Sequence, residues 1–263
     1  MCNNRTMEAD TFKKQFGPQA ENYTKYRTPY PQELFDFLFS LIPQNSTRIL
    51  DVACGTGKST EALLGAELKV YGCDHDVLMI EEAKKQSSLK ALSIDYQVAE
   101  AEHLPYENGY FDVVTIGTAF HFFVNETAIA EIKRILKPGG LLFTFWTLTT
   151  KDVPVEDEIP FSIFQKYKLA RVPVQLRDLD YISSFLAKSG LKNISTKRIP
   201  IKYNITVEER VGLYTTSGSY ELLSEEDKIG FLDEIRKALT KNLGDRPYFT
   251  LEEEIQICYG FKV

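Results

Sequence analysis

Only four cysteines occur in the 263 residues, Cys2, Cys54, Cys73 and Cys258, and they are scattered without the close pairing of a metal motif. A disulfide scaffold or zinc ribbon is excluded, and a reducing compartment is expected. Basic runs are missing as well. With 31 Lys and Arg against 37 Asp and Glu the formal net charge is -6, so the chain has no general attraction for phosphate backbones and nucleic acid is not an expected partner. No segment approaches the ~18 uninterrupted apolar residues of a membrane span. The opening MCNNRTMEADTFKKQFG also lacks the apolar stretch of a signal peptide. We therefore expect no membrane insertion and a cytoplasmic protein. No internal repeat is present. What remains is ordinary globular usage, 43% hydrophobic and 26% charged, in a chain long enough for one large domain with smaller elaborations.

From Arg48 to Thr147 the runs RILDVA, LKVYGC, IDYQVA, FDVVTIG and LLFTFWT alternate with helical patterns. Alternation of this kind argues for an α/β fold with a parallel sheet. The runs are almost continuously apolar or β-branched, as strands covered on both faces by helices require. A helix opens at Pro31 with Leu34, Leu38, Leu41 and Ile42 on its apolar side. Another covers Asp76 to Lys85. A third takes Asn125 as N-cap, places Ile129, Ile132 and Leu136 on one face, and stops at the Lys137-Pro138-Gly139-Gly140 turn. Residues 148–180 lose periodicity around Pro154, Pro160 and Pro173 and read as an insertion able to act as a lid. A helix near 178–188, a strand near 192–199, a helix near 224–240 and a strand near 249–261 complete the chain. We expect a single domain over 1–263, its core at 31–147 binding a cofactor, with 148–180 and 204–248 shaping an acceptor pocket.

In an open parallel sheet, ligands bind beyond the carboxyl ends of the strands where strand order reverses. The first such end reads Ile49-Leu50-Asp51-Val52-Ala53-Cys54-Gly55-Thr56-Gly57. Gly55 and Gly57 lack Cβ atoms, so the backbone can turn sharply and approach a ligand closely. Asp74 ends the second run, where a carboxylate can accept from both ribose hydroxyls of an adenosine. A nicotinamide cofactor would use a similar acid, but its G-x-G-x-x-G pattern needs glycine at position 60, where Thr60 stands. Asp51 supplies an acid just before the loop, and Glu100 follows the third run where it can accept from an adenine amino group.

With LDVACGTG, VYGCDHDVLMIEEAK, AEAEHLPYENGYFDVV, AFHFF, the KPGG turn and the N-terminal FGPQAENYTKYRTPYP, the chain resembles the class I S-adenosylmethionine-dependent methyltransferases of type 11. The likeness is to the branch with small-molecule enzymes such as trans-aconitate methyltransferase. The resemblance implies a Rossmann-like, doubly wound, seven-stranded and mostly parallel sheet with helices on both faces and the last strand antiparallel. It also implies S-adenosyl-L-methionine as cofactor. Carried over, Asp51, Gly55 and Gly57 would hold the methionine moiety, Asp74 the ribose, His75 one adenine face, and Glu100 with the Ala101 backbone the adenine edge. Thr118 and Phe120 would lie near the sulfonium, and Tyr23 and Arg27 would close over the cofactor. The family usually has glycine where this chain has Ala53, which asks for a φ below zero; its adenine-edge acid is often aspartate rather than Glu100.

His121 follows the fourth strand at the mouth where an acceptor enters, and is the candidate catalytic base. A carboxylate acceptor would need no base, and Arg27, Arg171 or Arg177 could grip it. His103 has no partner in the spacing and is assigned no chemistry. The hydroxyl-rich Tyr214 to Tyr220 is either a polar loop or part of the acceptor pocket. The expected function is methylation of a small molecule, O-methylation of a trans-aconitate-like carboxylate. Alternatives are a carbon-methylating enzyme of quinone biosynthesis, a non-catalytic cofactor-binding protein and, in a different class, a nicotinamide-dependent oxidoreductase. Oligomeric state is not indicated.

Overall fold

The computed structural model describes residues 17–149, 159–169 and 178–263, which divide into two compact units. One holds 29–147, 178–199 and 255–263; the other holds 17–28, 148–149, 159–169 and 200–254. In chain order the elements begin with α1 (Ala20–Tyr26), α2 (Gln32–Leu41), β1 (Arg48–Val52), α3 (Lys58–Ala62), β2 (Lys69–Asp74), α4 (Val77–Leu89) and β3 (Ile94–Val98). Next come β4 (Phe111–Gly117), α5 (Glu126–Ile135), β5 (Leu136–Thr149), α6 (Phe161–Lys166) and α7 (Leu179–Lys188). The last are β6 (Lys192–Ile205), α8 (Val207–Tyr214), α9 (Gly218–Glu221), α10 (Glu225–Leu243) and β7 (Phe249–Phe261).

The strands form one seven-stranded sheet in the order β3-β2-β1-β4-β5-β7-β6, mostly parallel with one antiparallel strand and with helices around it. Leu50 sits beside Tyr71 of β2 on one side and Val114 of β4 on the other. Strand order reverses between β1 and β4, which places the ligand crevice there. β4 is buried from Phe111 to Ile116, as expected for a central strand covered on both faces.

Local chemistry fixes the helix starts. The Asp76 carboxylate accepts from the amides of Leu78 and Met79 and opens α4; Asn125 Oδ1 accepts from Ala128 N and opens α5. Ala128, Ile129, Ile132 and Ile135 form the buried face of α5. Leu136 is not on that face. It is the first residue of β5 and pairs with Phe111, whereas Leu141 pairs with Val113. The expected KPGG turn is therefore a bulge within the strand, with Gly139 at φ 77. The Gly139 amide donates to Lys262 O and the Lys262 amide to Gly140 O, at 2.8 and 2.9 Å. In α2, Leu34, Phe35 and Leu38 are buried, while Leu41 at its end and Ile42 just beyond it are only half-buried.

The other unit has its own core. Phe231, Ile235 and Leu239 recur every four residues along α10 and pack with Ile205, Phe249 and Leu251. Burying each such side chain contributes about 1.5–3 kcal/mol. Ser224 caps α10, and Thr206 with Glu209 forms a reciprocal capping box on α8. Within the 148–180 stretch, Leu148 and Thr149 finish β5, Pro160 precedes α6 and Asp178 caps α7. Residues 150–158 and 170–177 of the expected lid, with Pro154, Pro173, Arg171 and Arg177, lie outside the described residues. Among the described residues, no helix is long and apolar enough to cross a membrane.

Candidate cofactor site

β1 ends beneath a loop whose backbone folds back on itself. Ala53, Gly55 and Gly57 have φ of 56, 55 and 84°. The negative φ expected of Ala53 is thus replaced by the left-handed region, which costs a non-glycine residue about 1–2 kcal/mol. Glycine at this place would carry no such strain. The Cys54 amide donates to Cys73 O at 2.9 Å, which locks the loop to β2.

The two loop glycines have different reasons. A Cβ on Gly55 would meet nothing within 4 Å, so its missing side chain opens backbone toward a ligand. A Cβ on Gly57 would strike the Tyr96 hydroxyl, and one on Gly72 would come 2.7 Å from the Tyr96 ring. Gly57 is therefore required by Tyr96 as well as by its own φ. Tyr96 was not singled out from the sequence, although a glycine inside a strand, Gly72, signals a close approach of just this kind.

Asp51 is 0% exposed. Ser59 and Thr60 hydroxyls donate to its Oδ2, each at 2.7 Å, and Thr115 Oγ1 donates to Oδ1 at 3.0 Å. Burial pushes its carboxyl up to about 6, the three hydroxyls pull it down and Asp74 adds to the rise. Its immediate work is to tie β1, α3 and β4 together under the loop.

Asp74, 7% exposed, ends β2. Its Oδ2 accepts the Gly55 amide at 3.0 Å and its Oδ1 accepts the Asp76 amide at 3.0 Å. His75 Nδ1 lies 3.2 Å from Oδ1. A carboxylate has about four acceptor positions, so these contacts leave capacity for ligand hydroxyls.

Beyond β3, Glu100 is exposed and its carbonyl accepts the His103 amide at 3.0 Å; Ala101 is buried behind it. Beyond β4, Thr118 has φ 56 and its hydroxyl is 3.0 Å from Tyr30 Oη. Phe120 and His121 follow in a short 3-10 turn. Phe120 is 0% exposed, packed on Phe123, Trp146 and Phe185. His121 is 5% exposed with its ring 4.0 Å from that of Phe122. The carboxyl ends of β1 to β4 thus bring Asp51, Gly55, Gly57, Asp74, His75, Glu100, Ala101, Thr118, Phe120 and His121 to one edge of one unit.

The model of a methyltransferase domain matches residues 50–144, which contain this whole edge. An uncharacterized methyltransferase-like protein of Schizosaccharomyces pombe is 27% identical over 94% of this chain and 92% of its own length. The O-methyltransferase cnsE of Penicillium expansum is 37% identical over 60% of this chain, and that match spans only 57% of cnsE. Among solved structures, phosphoethanolamine N-methyltransferase 2 of Haemonchus contortus, held with phosphomonomethylethanolamine and S-adenosylhomocysteine, shares the fold. Its TM-score is 0.56 at 18% identity, covering 94% of this chain and 57% of that one. Residues 50–144 carry a methyltransferase domain, whose cofactor is S-adenosylmethionine.

The open Gly55 backbone and the unsaturated Asp74 carboxylate suit that cofactor, since the first admits a ligand and the second accepts from a diol. Two residues expected over the methyl donor, Tyr23 and Arg27, belong to the other unit. There Arg27 Nε donates to Thr216 Oγ1 at 2.9 Å and the guanidinium lies 5.1 Å from the Tyr23 ring centre. The hydroxyls of Thr215, Thr216 and Ser217 donate to the carbonyls three residues earlier, Gly212, Leu213 and Tyr214. Those hydroxyls close the end of α8, and Ser217 also caps α9.

Proposed function

We propose that the methyltransferase domain moves a methyl group from S-adenosylmethionine to an oxygen of a small-molecule acceptor, a carboxylate of the trans-aconitate kind. The observation that carries the donor half is Asp74, buried at the end of β2 and already bound to the Gly55 amide. Support for oxygen as the acceptor comes from the similarity to a protein named an O-methyltransferase. The choice of a carboxylate follows the sequence resemblance.

In this reading Asp74 accepts from the ribose hydroxyls and the Gly55 backbone faces the methionine moiety. His75 covers one adenine face, while the exposed Glu100 carboxylate and the Ala101 amide meet the adenine edge. Asp51 keeps the loop in shape through Ser59, Thr60 and Thr115. Phe120 forms the packed wall behind Thr118. The bound cofactor supplies a methyl group on a positive sulfur, which departs as a neutral thioether. For a carboxylate the chain has no proton to remove, and holding the acceptor in line is the main contribution, on the order of 7–11 kcal/mol in favourable cases. His121 would orient the acceptor oxygen, or take its proton if the acceptor were a neutral hydroxyl.

The test is incubation with isotope-labelled S-adenosylmethionine and a set of small acceptors that includes trans-aconitate, followed by mass spectrometry. Methyl esters are expected. A product methylated only on nitrogen or carbon would overturn the acceptor assignment.

A further inference from the structure

Two non-glycine residues at the carboxyl edge of the sheet stand in the left-handed region, Ala53 just after β1 and Thr118 just after β4. β1 and β4 are the neighbours between which strand order reverses. A β-branched residue rarely tolerates this conformation, and it persists only where the surroundings impose it. The surroundings of Thr118 can be named. Its amide donates to Phe145 O at 2.7 Å, and the preceding residue is Gly117, where a Cβ would come 2.6 Å from the Phe145 ring. Its hydroxyl is bound to Tyr30 Oη at 3.0 Å. Tyr30 is itself aimed by packing, edge-on to Phe145 at 4.9 Å and to Phe35 at 6.5 Å. Both residues are half-buried.

The order β3-β2-β1-β4 gives the crevice a direction. If adenine, ribose and the methionine moiety lie over β3, β2 and β1, as the reading above holds and on which this inference rests, the next strand is β4. An acceptor then approaches from the β4 side, and the methyl-bearing sulfur faces the β1–β4 boundary. Whichever of Tyr30 and Thr118 donates in their hydrogen bond, Thr118 Oγ1 keeps at least one lone pair, and Tyr30 fixes its place on that boundary.

We propose that the Tyr30–Thr118 hydroxyl pair makes the site prefer the positively charged methyl donor over its neutral demethylated product. Preorganised oxygen dipoles favour a positive sulfur and give little to a thioether. The strain at Thr118 is the cost of placing them. Tyr30 acts partly through Thr118, and losing its hydroxyl leaves its ring packing on Phe145 and Phe35 in place.

Calorimetric titration of the wild type, Tyr30→Phe and Thr118→Gly with S-adenosylmethionine and, separately, S-adenosylhomocysteine tests this. In Tyr30→Phe the affinity for S-adenosylmethionine should fall about fivefold, with that for S-adenosylhomocysteine and the unfolding temperature unchanged. Thr118→Gly should lose the same preference without unfolding, because glycine accepts the left-handed backbone, and Thr118→Ser should keep it. The double variant Tyr30→Phe/Thr118→Gly should lose less than the sum of the two single losses, and a fully additive loss overturns the pairing of the two hydroxyls. An unchanged preference in Tyr30→Phe, or equal loss of both ligands, overturns the proposal. A wild type that binds neither ligand would instead overturn the donor-site reading.

Discussion

Asp74 Oδ2 accepts the Gly55 amide at 3.0 Å, so the end of β2 holds the loop that follows β1. One carboxylate thereby has two tasks, shaping the loop and offering its remaining lone pairs to a ribose. Asp74→Ala removes both, and S-adenosylmethionine affinity should weaken by about 1–3 kcal/mol. Calorimetry on a variant shown to be folded by circular dichroism checks this, and unchanged affinity would mean that the ribose binds elsewhere.

Gly57 and Tyr96 compete for one volume. Gly57→Ala should destabilise the domain by about 1–3 kcal/mol, through the clash and through the positive φ together. Tyr96→Phe removes the atom nearest the added methyl, so the double variant should recover part of the loss. Denaturant midpoints of the single and double variants decide whether the two positions are coupled.

Ala53 should behave in the opposite sense. Glycine there relieves the left-handed strain but adds unfolded-chain freedom, so Ala53→Gly should range from neutral to about 1 kcal/mol more stable. A clear loss of stability in chemical denaturation would show that the alanine methyl makes packing contacts worth more than the strain.

Asp51 should leave a signature in the pH dependence of stability. Its carboxyl is raised from 3.8 to about 6 by burial. Between those values the folded state holds a proton that the unfolded state has released, so this group's contribution is greatest below about pH 4. It declines as pH rises toward 6 and is flat above, a total of about 3 kcal/mol. Asp112 and Glu131, lowered by Lys137 and the Thr47 and Arg48 amides, and by Arg134, act in the opposite direction at lower pH. They are common to both proteins when Asp51→Asn is compared with the wild type. The difference in unfolding free energy should therefore change between pH 4 and 6 in favour of Asp51→Asn as pH rises, and a flat difference would contradict a buried carboxyl whose pKa is raised.

Much of the sheet could be read from local signals. Strands β1 to β4 lie close to their apolar runs, and Asp76 and Asn125 cap helices because a short side chain before a periodic stretch satisfies free amides wherever it occurs. Leu136 was misplaced for an equally local reason. Its spacing continues the apolar face of α5, and only pairing with Phe111, distant in sequence, makes it the start of a strand. The φ of Ala53 and the encounter of Gly57 with Tyr96 are set by neighbouring strands, which periodicity does not record. The Tyr30–Thr118 bond joins residues 88 apart in sequence, and no spacing rule connects them. Asp51 was legible as an acid before a glycine loop, but its cage of Ser59, Thr60 and Thr115 needed β4 beside β1. The division into two units, which separates Tyr23 and Arg27 from Asp74, left no mark in composition.

The loop from Ala53 to Gly57, with Asp74 beneath it, is the center of the functional account, and direct titration tests it with least intervening chemistry. Calorimetry of the wild type with S-adenosylmethionine and with NAD should give saturable one-to-one binding for the methyl donor and no heat for NAD. Saturable binding of NAD without any response to S-adenosylmethionine would contradict it.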